Sequence, residues 1–400
     1  MSTPIYLDHN ASTPIDPDVL ETVIRVSRDS YANPSSVEHS EGSAAARIVE
    51  TARAQIAAHI KCKETELVFT SGSTEANNLA ILGAFPRLQE AGRSHLITSK
   101  IEHPSVLACF DHLEGQGARV TRLGVDEGGQ ISLDELAEAL TDDTGLVSIM
   151  TANNETGVLQ PILQAGKLAE DAGALFHTDF SQASALVPLD LKDSPIHLAS
   201  FSGHKAYGPK GVGVLYRSIR KPRVSLAPVV FGGGQEKGLR AGTLNTPGIA
   251  GLGHAFELIS KNIEHDRERI STLRNQLETE LKDTLKVQIN GNAESRLPNT
   301  MSITIDGVVP QALMQKLRDN LCFSASSACA TEHVETSHVL IAMFGDTPRA
   351  RNAFRLGLGR RTLQRDISQV ADLVRRAAVE LLLLRTAKSN VSNPDRAKMY

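Results

Sequence analysis

At 400 residues, and roughly 150 residues per domain, the chain has room for two or three domains with ample buried core, which excludes small stapled scaffolds. Forty-two Lys and Arg against 46 Asp and Glu leave a formal charge of -4, so no global field favours nucleic acid or an anionic membrane surface. Hydrophobic residues at 41% and charged residues at 22% are ordinary for a soluble globular protein, while the absence of Trp and only 4% aromatics argue against a base-stacking nucleic-acid binder.

In chain order, the opening "MSTPIYLDHNASTP" has neither a basic start nor an apolar core, and no 18-residue apolar run follows, so neither export nor a membrane span is expected. From about residue 44 to 260 short apolar runs alternate with helix-period segments, the pattern of a sheet fed by helical crossovers. The expected strands are Leu67–Thr70, His95–Thr98, Val120–Leu123, Leu146–Thr151, Leu175–Thr178, Leu198–Ser200 and Val212–Tyr216. Ser132 with Glu135 reads as a capping box. After residue 260 charged helical sequence leads to a strand in "NTMSITIDG", a helix ending near Asn320, and a last helix from about Asp366 to Leu384. In that helix Ile367, Val370, Val374, Ala377 and Leu381 share one face. The expected division is a large α/β domain over 16–260, a smaller α+β domain from 1–15 and 261–386, and a frayed tail over 387–400. The four cysteines, Cys62, Cys109, Cys322 and Cys329, form neither a disulfide framework nor a CxxC pair, which fits a reducing, cytoplasmic setting with no metal.

Six stretches can carry chemistry. In "FTSGSTEANNLA" a strand breaks at a Ser-Gly-Ser-Thr turn into a helix, and backbone N–H groups with the hydroxyls of Ser71, Ser73 and Thr74 can cradle a phosphate; a plain N-cap explains the stretch equally well. "SKIEHPSV" and "TANNETGVLQP" place His103, Asn153 and Asn154 just after strands, where each is ordinary on its own. In "HTDFSQA" a buried strand runs into Asp179, with Gln182 behind it; a carboxylate there needs a cation or several donors, or else it caps the next segment. "SFSGHKAYGPKGVGVLY" exposes Ser202, His204 and Lys205 at a strand end, although a loop lysine is ordinarily only solvated. A Lys at one strand end and an Asp at another are what pyridoxal phosphate requires, the acid keeping the pyridine nitrogen protonated. In "FSASSACATEH" Cys329 lies among small residues in a loop-like run and reads as a reactive thiol against a structural one, whereas Cys322 reads as a core residue.

Taken together the chain resembles the cysteine desulfurases (NifS/IscS-like), class V aminotransferases of the fold-type I pyridoxal phosphate group. The resemblance covers Tyr6 to about Leu384 through "YLDHNASTP", "NPSSVEH", "SGSTEANNLA", "EHPSV", "NNETGV", "HTDFSQA", "SFSGHKAYGPKGVG", "FGGGQEKGLRAGT", the Cys329 loop and "FRLGLGR". It implies that Lys205 links covalently to pyridoxal 5'-phosphate, that Asp179 pairs with the pyridine nitrogen and that His103 stacks on the ring. Asn154 and Gln182 would bond the ring's oxygen side. Ser73, Thr74, Ser202 and His204 would hold the phosphate, with Thr243 reaching across from a second subunit of a homodimer. Arg355 matches the family's anchor for the substrate carboxylate, with Asn154 also on the substrate side. Free L-cysteine would become L-alanine, and Cys329 would carry the sulfur as a persulfide to an acceptor protein.

The "SSAC" type of loop places the chain with the subgroup of the iron-sulfur cluster desulfurase, with Ser326 where that subgroup usually has Gly. Acceptors in the subgroup serve iron-sulfur cluster assembly, tRNA thiolation or DNA phosphorothioation, and the chain is somewhat reminiscent of the DNA-phosphorothioation desulfurase. No direct contact with nucleic acid is expected. An aminotransferase or a selenocysteine lyase would share the cofactor residues, and a non-catalytic sulfur-relay scaffold is the reading from another class; a mobile thiol at Cys329 favours the desulfurase.

Overall fold

The computed structural model describes residues 4–325 and 336–391. The first half runs β1 (Ile5–Tyr6), α1 (Pro17–Asp29), α2 (Ser40–Ile60), β2 (Leu67–Thr70), α3 (Ser73–Glu90), β3 (His95–Ser99), α4 (Pro104–Gly115), β4 (Arg119–Leu123), α5 (Leu133–Ala139), β5 (Thr144–Ser148), α6 (Ile162–Asp171) and β6 (Leu175–Asp179). Next come β7 (Leu198–Ser202), β8 (Gly213–Arg217), α7 (Thr246–Lys282), β9 (Val287–Ile289), β10 (Thr300–Ile305) and α8 (Pro310–Leu317). The chain continues with β11 (Leu321–Cys322), β12 (Ser324–Ala325), α9 (His338–Phe344), α10 (Pro348–Arg351), β13 (Ala353–Gly357) and α11 (Gln364–Val391).

Contacts divide these residues into two units. The larger holds Ser12–Asn154 and Val158–His265; the other holds the described parts of Met1–Ala11 and Asp266–Tyr400, together with Glu155–Gly157. The three-residue insertion follows from packing: the Gly157 carbonyl accepts from the Leu297 N–H at 2.8 Å, and a Cβ on Gly157 would stand 2.5 Å from the Thr300 Cβ. Glu155 accepts from the Ser337 hydroxyl at 2.5 Å. No helix among the described residues is long and apolar enough to cross a membrane.

In the larger unit seven strands lie in the order β2-β8-β7-β6-β5-β3-β4. Only β8 runs against its neighbours, and the other pairings are parallel. Covering of the sheet faces explains why the central strands β3, β5, β6 and β7 are buried along their whole length, whereas the outermost strand β4 (RVTRL) is mostly not. One residue from each of six strands, Val68, Leu215, Leu198, Leu175, Leu146 and Leu96, joins a single core with α3 and α4. Each such side chain contributes about 1.5–3 kcal/mol on burial, so packing alone seats these helices and leaves their first turns available for chemistry.

The consequence for function is directional. All six parallel strands end on one edge of the sheet, the edge where α/β proteins bind ligands. Thr70, Ser99, Ser148, Asp179 and Ser202 are the last residues of β2, β3, β5, β6 and β7. Gly213 begins β8 on the same edge, opposite Thr70 and Ser202. A Cβ there would come within 2.5 Å of the Phe201 carbonyl oxygen and 2.6 Å of the Gly72 Cα, so three chain segments meet where only glycine fits.

The smaller unit has the antiparallel sheet β12-β13-β10-β9 and the parallel pair β1-β11. On α11, Ile367, Val370, Val374 and Ala377 are buried as the spacing predicts, while Leu381 is half-buried. That helix continues to Val391, five residues past the expected end of the domain at 386, and 392–400 lie outside the described residues. Cys322, expected in the core, is half-buried, because strand alternation turns its neighbours Leu321 and Phe323 inward instead.

Candidate active site

The Asp179 carboxylate closes β6 and is 7% exposed. Burial makes its charge costly unless donors meet it, and two do: the Asn77 Nδ2 at 2.8 Å and the Ser181 N–H at 2.9 Å, one on each oxygen. Asn77, from the first turns of α3, is wholly buried and also donates to the Ser105 Oγ at 2.9 Å. The Ser105 Oγ stands 2.8 Å from the His103 Nδ1, which also accepts from the Ser105 N–H at 3.1 Å as the N-cap of α4. Two of the expected residues, Asp179 and His103, are thereby joined by two that went unassigned.

On the neighbouring strand, Ser202 is buried at the end of β7 and the turn Gly203–Lys205 follows directly. Asp179 pairs across with Ser200, so Lys205 emerges from the adjacent strand on the same edge. The turn is braced from the other side: Thr13 donates both its N–H and its hydroxyl to the His204 carbonyl, at 2.8 and 2.9 Å. The His204 Nδ1 lies 3.2 Å from the Ser12 Oγ, and burial, with the charges of Lys205 and Lys210, brings its pKa down to about 4. His204 is therefore neutral at physiological pH.

Ser73 and Thr74 open α3, whose N-cap Gly72 (φ 154°) supplies no side-chain bond to the first turn. Uncapped N–H groups beside two hydroxyls at a positive helix end are an anion site. Glu75 on the same turn accepts from the Arg240 Nε at 2.8 Å, which ties down the segment bearing the exposed Thr243. Asn154 and Gln182 are half-buried, just beyond β5 and β6. In the smaller unit, Arg355 on β13 is 7% exposed and its Nη2 donates to the Asp8 Oδ1 at 2.8 Å. Cys329 and Ser326 lie outside the described residues.

Beneath the edge lie two buried titratable groups that sequence reasoning missed. The His177 ring bridges the Ser148 Oγ (2.8 Å) and the Ser200 Oγ (3.0 Å), and burial brings its pKa down to about 4 despite the charge of Asp179. Glu102, just ahead of His103, is fully buried. Its Oε1 accepts from the Ser99 hydroxyl at 2.6 Å and the Met150 N–H at 2.9 Å. Burial, aided by the charge of Asp179 and opposed by these two donors, pushes it up to about 8. A sequence signal existed for it: a Glu three residues past the end of a buried strand and next to a candidate site histidine.

Glu102 makes a prediction with a definite sign. The folded chain keeps this proton up to about pH 8, whereas the unfolded one loses it near an ordinary 4.5. Its contribution to stability is therefore fully present below 4.5 and lost as pH rises toward 8. In Glu102→Gln the carbonyl can accept the same two bonds without ever charging. Denaturant titrations should show the variant gaining on the wild type as pH rises from 5 to 8.5. The gain should reach up to a few kcal/mol, because each pH unit between the unfolded and folded titrations is worth about 1.4 kcal/mol. A constant difference across that range would place the charge elsewhere.

The donor set suits pyridoxal phosphate: an uncapped helix start with hydroxyls for the phosphate, an acid held by two donors, and an amine on the adjacent strand end. Buried Asn77 Oδ1 and Ser181 Oγ, beside that acid, have no hydrogen-bond partner.

Known proteins agree. The aminotransferase class-V family model matches residues 5–370. The chain is 41% identical over 379 residues to a protein named cysteine desulfurase IscS from Klebsiella pneumoniae, covering 94% of this chain and 93% of that one. To its namesake from Neisseria meningitidis it is 42% identical over 375 residues, covering 94% and 92%. Among solved structures, a NifS-like protein superposes with a TM-score of 0.87 at 33% identity, covering 93% of this chain and 98% of that one. DndA from Streptomyces lividans does so with 0.76 at 36%, covering 89% and 99%. With the match spanning most of its length, and with the parallel sheet and donor set described above, the chain belongs to the aminotransferase class-V family, a pyridoxal-phosphate enzyme of fold type I.

Proposed function

We infer that the protein is an L-cysteine desulfurase in which Lys205, Asp179, His103 and Cys329 carry the reaction, releasing L-alanine and keeping the sulfur as a persulfide on Cys329. The observation that supports this best is the carboxylate of Asp179, held by hydrogen bonds from Asn77 and Ser181 at the end of one strand while Lys205 leaves the next. Bound pyridoxal phosphate supplies an electron sink for the pair released at the substrate Cα.

The chain's own groups do the rest. Lys205 holds the cofactor and, once substrate has displaced it, offers a free amine for proton transfer. Asp179 keeps a positive ring nitrogen favourable. Ser73, Thr74, Ser202 and His204 take the phosphate, Asn154 and Gln182 the ring's oxygen side, and Thr243 is assigned to the partner subunit's site in a homodimer. Arg355, oriented by Asp8, anchors the substrate carboxylate, a bidentate task suited to guanidinium. The Cys329 thiolate attacks the substrate sulfur: an S–S bond forms, the Cβ–S bond breaks, and its electron pair leaves with Cβ, which is protonated to give the methyl group of alanine. The persulfide then passes to an acceptor protein. Iron-sulfur cluster assembly is the first candidate pathway, on the names of the curated relatives, with tRNA thiolation and DNA phosphorothioation behind it.

The test is Cys329→Ala in the holoprotein. Formation of alanine and sulfide from L-cysteine should fall at least about 10³-fold, as for loss of a nucleophile, with the cofactor's visible absorbance retained. Alanine formed at the wild-type rate would remove the thiol from the mechanism and favour another use of the scaffold.

A further inference from the structure

The amide of Asn77 has no part in the reaction just described, yet it spans two of its groups. A carboxylate only accepts hydrogen bonds, so the NH2 of Asn77 must face Asp179. Its Oδ1 is then turned away into the protein, buried and without a partner. Leaving a buried carbonyl so carries a desolvation penalty that mere space-filling does not justify. The same Nδ2 also donates to the Ser105 Oγ. At the far end, the Ser105 N–H points at the His103 Nδ1, so that nitrogen carries a lone pair rather than a proton. The Ser105 hydroxyl must then donate to the same Nδ1, and its own lone pair receives Asn77. Only one polarity satisfies the chain: outward from Asn77 to the carboxylate on one side, and through Ser105 to the imidazole on the other.

We propose that Asn77 and Ser105 are positioning residues that tie Asp179 and His103 into one hydrogen-bond chain. This chain sets the orientation of the carboxylate and holds His103 in the neutral tautomer with its proton on Nε2. The inference rests on the pyridoxal phosphate reading above, because it assigns the acid and the imidazole to one cofactor. Each partner already has a second restraint, the Ser181 N–H on Asp179 and the Ser105 N–H on His103. Loss of Asn77 therefore loosens both groups without unfolding either segment.

The experiment uses the full-length protein, wild type and Asn77→Ala, Ser105→Ala and Ser105→Thr, stripped of cofactor and titrated with pyridoxal phosphate. Ring 15N spectra of His103 are recorded in the cofactor-free state. The wild type should show one tautomer with the proton on Nε2. Ser105→Ala should move toward a mixture, and Ser105→Thr, which keeps the hydroxyl, should restore the wild-type pattern. Asn77→Ala should bind the cofactor roughly 10- to 100-fold more weakly, the loss expected for a hydrogen bond to a charged group. Ser105→Ala should keep the cofactor affinity and the KM for cysteine while kcat falls about tenfold. Should Asn77→Ala fail to fold, the serine pair still decides. A wild-type His103 with its proton on Nδ1, or Asn77→Ala and Ser105→Ala both matching wild type in affinity and spectra, overturns the inference. A wild type that binds no pyridoxal phosphate overturns the reading beneath it instead.

Discussion

Lys205→Ala is expected to be folded and catalytically dead. The side chain is half-exposed on a turn whose backbone is held by the Thr13 N–H and hydroxyl through the His204 carbonyl. Truncation therefore removes no core packing, and the melting temperature of the cofactor-free protein should move by no more than a few degrees. The chemistry should suffer far more. Without the amine, pyridoxal phosphate can bind only through its phosphate and ring contacts, borohydride fixes none of it to the polypeptide, and turnover of L-cysteine falls at least about 10³-fold. Loss of activity accompanied by collapse of the cofactor-free protein would instead make Lys205 a structural residue.

Asp179→Asn tests the other half of the pair. The substitution is isosteric. A neutral amide can keep one of its two bonds, because its oxygen can accept from either Asn77 or Ser181, whereas its NH2 meets another donor at the second position. A stability loss of about 1–3 kcal/mol is expected from that clash of donors. The charge that favours a protonated ring nitrogen disappears as well, so kcat should fall about 10²–10⁴-fold with a much smaller change in KM. Steady-state kinetics on cofactor-saturated variant provide the check. An equal loss in kcat and in cofactor affinity, recovered by excess cofactor, would reduce Asp179 to a binding contact.

Much of the fold was legible because parallel strands are continuous apolar runs, and β2 appears over the very residues Leu67–Thr70 that the pattern marks. The misplaced ends reflect hydrogen-bond ladders, which composition does not delimit: β6 and β7 run past the expected Thr178 and Ser200 to Asp179 and Ser202. Conversely, β5 stops at Ser148, short of the expected Thr151, although Ile149 and Met150 are buried and the Ile149 and Thr151 N–H groups still bond the His177 and Asp179 carbonyls of β6. The boundary between the two units falls at residues 265 and 266, inside the single helix α7, where no capping residue or proline could have announced it.

At the site, the residues with a chemical signature stood out: a lysine, an acid and a histidine after strands that share a sheet edge. Asn77 and Ser105 did not, since an amide within a helix and a serine after a proline gain meaning only when α3 and α4 bring them within 2.9 Å of each other. Asp8 escaped for the same reason, being paired with an arginine 347 positions away.

The most direct measurement is a crystal structure of the borohydride-reduced holoprotein. The account predicts the cofactor bonded to the Nζ of Lys205, its pyridine nitrogen within about 3.2 Å of an Asp179 oxygen, and its phosphate against the first turn of α3. A cofactor attached to any other lysine, or a ring nitrogen beyond hydrogen-bond reach of Asp179, would contradict it.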